Sequence, residues 1–268
     1  MDDADHHGIA TTADRLTLLQ AFLLLPARAS LQPTIMNQHT PIHEFVGVGL
    51  YSVADAAQLL KAPPRTLRRW LDGYDYKKDD EVRHVAPLWK PDIPKFDNEI
   101  ELSFRDLIEL RFVRAFLENG IGLKAVRNCL DYARQCIQTD RPFSSGRFRT
   151  DGRTIFLESL EAAGETKLLD LKAKQYVFKQ IVEQSFKDLD LEGDIVRRWR
   201  PFRGKDSIVV DPTRSFGQPV ASASGVPTIV LAEAVKAEGS LARVAAMYEV
   251  EKSVVQDAVR FHEELMAA

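Results

Sequence analysis

The sequence predicts a mainly α-helical protein with small β elements, in which a helix-turn-helix stands near the front and three helices close the chain. Apolar residues recur at helical spacing in both regions, for example at Val53, Ala56 and Leu60 and again at Ala258 and Leu265. In each region a tight turn separates short helical patterns, and the strand-like segments between them are brief. A chain of 268 residues with 45% hydrophobic content can form a sizeable core, which we expect to divide into two domains or more.

Charge and cysteine content narrow the class of protein. The formal net charge of −3 excludes a uniformly basic nucleic-acid coat, so any DNA-binding surface must be local. Cys129 and Cys136 lie two helical turns apart in one predicted helix, and six scattered histidines complete no zinc ligand set. We therefore expect reduced, partly buried thiols, with neither a metal nor a cofactor.

The first 44 residues are predicted to be a flexible arm. Residues 16–25 form an apolar run, and Ala27-Arg28-Ala29 resembles a signal-peptidase site. The residues before the run are acidic where a signal peptide is basic, and the run is too short to span a bilayer. We expect a cytoplasmic protein with no membrane attachment.

The front helix-turn-helix is predicted from caps and spacing. Ser52 can cap a first helix with Asp55 three residues later, and Pro64 suits the first position of a second helix. On that second helix Arg65, Arg68 and Arg69 share one face, beside Thr66, which is where a recognition helix reaches phosphates and guanine edges. The alternative is the solvated basic face of an ordinary helical hairpin.

The polar segment at 72–102 has the position and chemistry of a wing, a β-hairpin that lies along the DNA backbone. It carries Lys77, Lys78 and Arg83 among tyrosines and leads into a short strand at 100–103. Ser103 can cap the helix that follows, Asn119-Gly120 can end it, and Leu123–Ile137 is predicted as a fourth helix.

This order of elements resembles the MerR-type winged helix over roughly residues 50–135. The matching segments are 51–53 with Ala56-Ala57, the block 66–70, the block 104–107 with Leu110, and 120–126. The wing is longer than is usual in that family, and its long dimerising helix and effector cysteines are absent from this sequence. The resemblance implies a DNA-binding domain over 45–140, with the contacts made by Arg65, Thr66, Arg68, Arg69, Lys77, Lys78 and Arg83, and it does not imply a sensor.

The middle of the chain, residues 141–205, is predicted to be a hairpin and helical connector. Asp151-Gly152 suits a type I′ turn, residues 155–157 suit a strand after it, and 167–184 form a second strand or a short helix. Basic residues alternate with Trp199 and Phe202 between 196 and 203. These side chains could stack on nucleic acid, grip an acidic pocket of a protein, or form a linker whose tryptophan packs locally.

The last domain, residues 206–268, is predicted to contain a turn-rich apolar segment followed by three helices. Gly239 can end the first helix after Thr228–Glu238, and Ser240 can cap the second. The outward faces of these helices are mostly acidic, which favours a protein partner over DNA.

This domain resembles a small domain found in VapB-type antitoxins of bacterial toxin–antitoxin pairs. The motifs are IVVDP at 208–212, GQPV at 217–220 and GVP at 225–227, and residues 221–224 depart from the family's Gly-Thr-Arg. The resemblance implies a PIN-like ribonuclease toxin as partner. Cationic and aromatic side chains suited to a carboxylate-lined groove are the predicted toxin contacts, namely Arg197, Arg198, Trp199, Arg200, Phe202, Arg203 and Phe216.

A symmetric dimer on palindromic DNA is expected, because one winged helix reads few base pairs. The predicted dimer contact is the apolar set Val254, Val255, Ala258 and Val259.

Catalysis is not expected. The sequence contains no glycine-rich phosphate loop and no nucleophile elbow, and Asp211-Pro212 is explained by an Asx-turn that starts a strand.

The prediction is therefore a non-enzymatic antitoxin that neutralises its toxin and regulates its operon by binding operator DNA. The alternative is a stand-alone MerR-like regulator whose last domain dimerises or binds a small effector.

Overall fold

The computed structural model describes residues 47–164 and 168–267, with side chains described throughout except at 168–175. The predicted N-terminal arm, residues 1–44, lies outside the described residues. Within the described part the architecture is a set of helices joined by small antiparallel sheets. None of the described helices combines the length and the apolar composition needed to cross a membrane.

The front of the chain contains two short helices joined by a turn and followed by a hairpin, in the order that the sequence predicts. Its elements are β1 (Tyr51–Ser52), α1 (Val53–Leu59), α2 (Pro64–Asp72), β2 (Tyr74–Lys78), β3 (Glu81–Val85) and β4 (Glu101–Leu102). Ser52 caps α1 in a reciprocal box with Asp55, and Pro64 begins α2, as the sequence indicated. Strands β2 and β3 pair antiparallel from Tyr74 opposite Val85 to Lys78 opposite Glu81, whereas β1 pairs with β4.

Two long helices follow, with the predicted boundaries. Helix α3 (Phe104–Glu118) begins with a capping box between Ser103 and Asp106, and α4 spans Leu123–Ile137. Gly120 has a φ of 82°, and this left-handed conformation prevents α3 from continuing past its C-terminus. Apolar residues of both helices enter one large core that extends from Tyr51 to Leu265.

The predicted hairpin at 150–157 is wrong, because this segment lies inside helix α5 (Gly146–Ala162), which is followed by α6 (Leu168–Phe186). Phe148, Ile155 and Phe156 are buried at helical spacing, and the Phe156 ring stacks on Phe178 of α6 with centroids 4.1 Å apart. A Cβ at Gly152 would lie 3.3 Å from the Phe148 ring. The Asp-Gly pair is therefore a helical site where the glycine makes room for an aromatic ring, and packing overrides the local turn preference.

A four-stranded antiparallel sheet connects these helices to the end of the chain. Its strands are β5 (Leu189–Glu192), β6 (Ile195–Trp199), β7 (Ile208–Val210) and β8 (Pro219–Ala221), in that spatial order. The basic and aromatic segment that could have been a linker is mostly strand β6, in which Val196 and Trp199 point into the core.

The last three helices follow the predicted pattern. They are α7 (Thr228–Glu238), α8 (Leu241–Met247) and α9 (Lys252–Met266); Gly239 takes a φ of 64° after α7, and Ser240 caps α8. Their small core consists of Ala221, Leu231, Val244, Val255 and Ala258. Helix α9 also contributes Phe261 and Leu265 to the large core, so the last helix packs on both.

Candidate functional site

Helix α2 presents its arginines to solvent. Leu67, Trp70 and Leu71 are buried on the inner side of the helix, which fixes its rotation and leaves Arg65, Arg68 and Arg69 on the exposed face. Thr66 is half-buried between the two sides. The structure therefore brings together the four residues of this helix that the sequence predicts to bind DNA.

The three arginines differ in their partners. The Arg68 guanidinium forms an exposed ion pair with Glu99 at 3.0 Å, whereas the Arg69 guanidinium lies 3.8 Å from the centre of the Tyr74 ring. Arg65 has no carboxylate partner among the described residues. Because stacking on an aromatic ring limits the rotamers of a guanidinium, Arg69 is oriented before any ligand arrives.

The hairpin carries the other three predicted DNA contacts on exposed strands. Lys77 and Lys78 are neighbours on β2 and therefore point to opposite faces, whereas Arg83 on β3 stands opposite Tyr76. Arg83 lies 3.7 Å from Glu81. Acidic residues at the tip, Asp79 and Asp80, reduce the positive potential there, so the basic character of the hairpin is local to the lysines.

The residues directly after the hairpin are bound to α2 and α4 by hydrogen bonds. The Leu88 amide donates to the Trp70 carbonyl at 2.7 Å, and the Arg127 guanidinium donates to the carbonyls of Ala86 and Pro87, both at 2.9 Å. Gly73 has a φ of 74°, and a Cβ there would meet the Val85 carbonyl oxygen at 2.3 Å. The sequence analysis did not single out Gly73 or Arg127, although a glycine directly after α2 is a recognisable sign of a sharp change of direction.

A buried ion pair fixes the segment that leaves the hairpin. The Asp106 carboxylate accepts hydrogen bonds from the Trp89 indole at 2.8 Å, the Asp92 amide at 3.0 Å and the Arg141 guanidinium at 2.7 Å. Arg141 also donates to the Lys90 carbonyl at 2.7 Å. Since both charged groups are buried and their hydrogen bonds are made, this network orients the chain between β3 and α3.

The predicted toxin contacts on and after β6 are engaged within the chain itself. Trp199 and Phe202 are 5% and 1% exposed, and the Trp199 indole donates to Asp188 at 3.0 Å. Each neighbouring arginine has an acidic partner, in the pairs Arg197 with Glu192, Arg198 with Asp190, Arg200 with Asp190 and Asp206, and Arg203 with Glu264. Binding a toxin through these arginines would require the partner's carboxylates to displace these acids.

Phe216, by contrast, is 49% exposed on a tightly held turn. Ser215, Phe216 and Gly217 all have left-handed φ values, of 46°, 54° and 83°. Leu50 donates its amide to the Phe216 carbonyl at 3.0 Å, and the buried Tyr51 hydroxyl donates to the Gly217 carbonyl at 2.8 Å. Burial, with Asp211 nearby, raises the pKa of Tyr51, which keeps this hydroxyl protonated as a donor.

The predicted dimer contacts are divided between inside and outside. Val255 and Ala258 are buried in the small core of the last three helices, whereas Val254 and Val259 are half-exposed. Of these four residues, therefore, only Val254 and Val259 present apolar surface that a second copy could contact. Ile229 and Met247, at 44% and 58% exposure, add apolar surface on α7 and α8.

The remaining candidates from the sequence are Asp211, the two cysteines and possible metal ligands. Asp211 accepts the Thr213 amide at 2.9 Å, the Asx-turn that the sequence predicts. Of the two free cysteines, Cys129 is buried and Cys136 is exposed. Within residues 47–164 and 168–267, no group of three or more His, Cys, Asp or Glu residues is arranged to hold a metal ion.

The sequence is similar to known proteins, but no family model matches it. The chain is 28% identical over 226 residues to a Mycobacterium tuberculosis (strain ATCC 25618 / H37Rv) protein named "Putative antitoxin VapB45"; the alignment covers 79% of this chain and 93% of the relative. The fold is similar to the crystal structure of Rv2018 from M. tuberculosis, with a TM-score of 0.63 and 25% identity over 78% of this chain and 96% of that one. Both similarities are too long to be confined to either the front or the last predicted domain.

Proposed function

We propose that this chain is a VapB-type antitoxin that neutralises a PIN-like ribonuclease toxin and represses its own operon by binding operator DNA. The observation that carries the proposal is the similarity over 79% of this chain, and 93% of the relative, to a protein that bears an antitoxin name. The motifs at 208–212, 217–220 and 225–227 support the same assignment from the sequence. No catalytic step is assigned to the chain itself.

Operator binding is proposed for α2 and the β2–β3 hairpin, as a MerR-like winged helix. Support comes from three exposed arginines on one face of α2 and from a hairpin whose next residues are bound to that helix by the hydrogen bond from the Leu88 amide to the Trp70 carbonyl. A rigid pair of elements of this kind can place side chains in a major groove and along the adjacent phosphates.

Toxin binding is proposed for the surface around Phe216. An aromatic side chain that is half-exposed on a rigid turn loses little conformational entropy when a partner buries it. The arginines on and directly after β6 are less favoured as toxin contacts, because each has an acidic partner in this chain.

The test is coexpression of the full chain with the ribonuclease encoded beside it. The unchanged chain should restore growth and copurify with the nuclease. Phe216→Glu should abolish both while operator binding is retained, and Arg68→Glu with Arg69→Glu should do the reverse. Tyr176→Glu, at an aromatic residue that is 65% exposed on α6, is the matched control and should behave like the unchanged chain.

Failure of the unchanged chain to bind the nuclease would overturn the proposal. Retained regulation of a promoter with no adjoining nuclease would instead favour the stand-alone MerR-like regulator.

A further inference from the structure

A cleft of about 480 Å³ lies between the start of α3, the connection from α4 to α5, and the turn from β5 to β6. Its apolar lining includes Phe104 and Ile108 of α3, Ile137 of α4 and Val196 of β6. None of its lining residues belongs to the DNA, toxin or dimer contacts proposed above. Its volume lies within the range of about 300–1,000 Å³ that is typical of small-molecule sites.

Two guanidinium groups in this cleft donate hydrogen bonds to uncharged oxygen atoms. Arg105 donates to the Thr139 hydroxyl at 3.2 Å and Arg147 donates to the Ile137 carbonyl at 3.3 Å, both at the exposed rim. Neither forms an ion pair with a carboxylate of the described part of the chain. By contrast, Arg111 of α3 and Arg134 of α4 each form one. Arg105 and Arg147 therefore keep most of their N–H donors available for an anion.

The other charges of the cleft determine how much negative charge it accepts. Arg141 is buried in the wall, and Asp106 and Asp92 compensate its charge. Asp194 is an acidic lining residue at the rim. At the rim, Asp194 opposes Arg105 and Arg147 and leaves an excess of one positive charge. The buried Glu109 behind Ser144 also acts on Arg105, and burial raises the pKa of its carboxyl to about 7. A net charge this small suits a monovalent anion better than a nucleotide carrying several phosphate charges.

We propose that this cleft binds a small organic anion that combines a single negative charge with an apolar body. The charge lies near Arg105 and Arg147, and the apolar body packs against the exposed side chain of Ile195 and the accessible edges of Ile137 and Val196. Ile195, which begins β6 and lines the cleft with 53% of its surface exposed, gains an apolar neighbour when the ligand is present. This site does not depend on the antitoxin assignment.

The experiment is a fluorescence titration of the full chain with two dyes of the same apolar body. The first, 1-anilinonaphthalene-8-sulfonate, carries one negative charge, and the second, N-phenyl-1-naphthylamine, carries none. The sulfonate dye should bind at one saturable site and at least about tenfold more tightly than the neutral dye, because charge-assisted hydrogen bonds add to apolar burial.

Variants of the rim test where the charge is recognised. Arg105→Gln and Arg147→Gln should each weaken binding of the sulfonate dye by about tenfold while leaving the neutral dye nearly unchanged. Arg149→Gln is the matched control, since Arg149 is exposed on α5 and does not line the cleft. Ile195→Glu, which adds a negative charge at an exposed lining residue of the cleft, should weaken binding of the sulfonate dye without requiring any change in the core.

Equal affinity for the two dyes, no saturable site, or unchanged affinity in both arginine variants would overturn the proposal. Thermal unfolding of each variant shows whether it retains the fold. The titration contains neither toxin nor DNA, so its outcome is independent of the test of the antitoxin proposal.

Discussion

Arg65, Arg68 and Arg69 share one face of α2 but differ in what each must give up to bind a ligand. Arg69 is stacked on Tyr74, Arg68 must exchange Glu99 for a phosphate or a base, and Arg65 has no such exchange to make among the described residues. An exposed ion pair of this kind is worth only about 0–1 kcal/mol, so the pairing of Arg68 does not prevent DNA binding.

Replacing these arginines should weaken operator binding. If Arg68→Ala or Arg69→Ala removes a base contact, the binding free energy should weaken by about 1–3 kcal/mol, and the preference for one base at that position should be lost. If the variant removes a phosphate contact instead, the magnitude of the slope of log K against log salt should decrease by about one. A gel-shift titration at several salt concentrations measures both effects. Arg243→Ala, which removes an exposed arginine from α8, is the control, and unchanged affinity in the two α2 variants would contradict the assignment.

Glu109 should make stability depend on pH. Burial raises the pKa of this carboxyl to about 7, although it accepts the Ser144 amide at 2.8 Å. Between the unfolded pKa near 4.5 and the folded value, the folded state binds more protons than the unfolded state, so stability is lost as pH rises through this window. Glu109→Gln keeps an acceptor for the Ser144 amide but cannot ionise. Between pH 5 and pH 8 its free energy of unfolding should therefore rise by up to about 3 kcal/mol relative to that of the unchanged chain. Denaturant unfolding at several pH values measures this difference, and parallel curves for the two proteins would contradict it.

The turn 215–217 shows how an element far along the chain depends on the front of the molecule. Its left-handed residues are held by hydrogen bonds from Leu50 and Tyr51, which belong to the start of the helix-turn-helix. A left-handed conformation costs a bulky residue such as Phe216 about 1–3 kcal/mol, and the surrounding contacts must offset this cost.

Gly217→Ala should destabilise the protein by at least about 1–3 kcal/mol, because the backbone conformation is unfavourable for alanine and the new Cβ would lie 2.2 Å from the Tyr51 hydroxyl. Thermal unfolding should show a melting temperature several degrees lower. Gly122→Ala is the matched control, since Gly122 has a φ of −62° and a Cβ there would have nothing within 4 Å. Similar melting temperatures for the two variants would show that the turn tolerates a side chain.

At the scale of the whole molecule, one continuous core links parts that the sequence assigned to separate domains. Phe112 and Phe116 of α3 contact Phe143, which precedes α5, and Phe112 also contacts Phe186 at the end of α6. Cutting the chain near residue 143 would expose these rings, so tests of function are better made with point variants of the full chain than with fragments.

The dimer is a prediction that belongs to this scale. Two copies should bind a palindrome whose half-sites are separated by roughly one or two turns of DNA. If the half-exposed Val254 and Val259 form the contact, Val254→Lys with Val259→Lys should give a monomer in light scattering and reduced operator affinity. Lys252→Glu, a charge change on an exposed residue of the same helix, is the control; a monomeric unchanged chain at micromolar concentration would contradict the prediction.

The sequence by itself determined those elements whose signals are local. Ser52, Ser103 and Ser240 identify the starts of three helices because a helix cap needs only the residues beside it, and Gly239 identifies an end for the same reason. The exposed face of α2 could be predicted as well, because helical spacing alone separates Leu67 and Trp70 from the arginines.

Only the tertiary structure decided the conformation of 146–162 and the partners of β6. Asp151-Gly152 favours a turn locally, but the aromatic rings of Phe148, Phe156 and Phe178 are buried together only if the segment is helical. Trp199 and the arginines around it are chemically suited to a partner, yet Glu264, which lies 61 residues from Arg203 in sequence, pairs with that arginine. Acids of the neighbouring strand β5 pair with Arg197 and Arg198. Contacts between residues far apart in sequence carry no local pattern, and this is the physical reason that spacing and composition could not predict them.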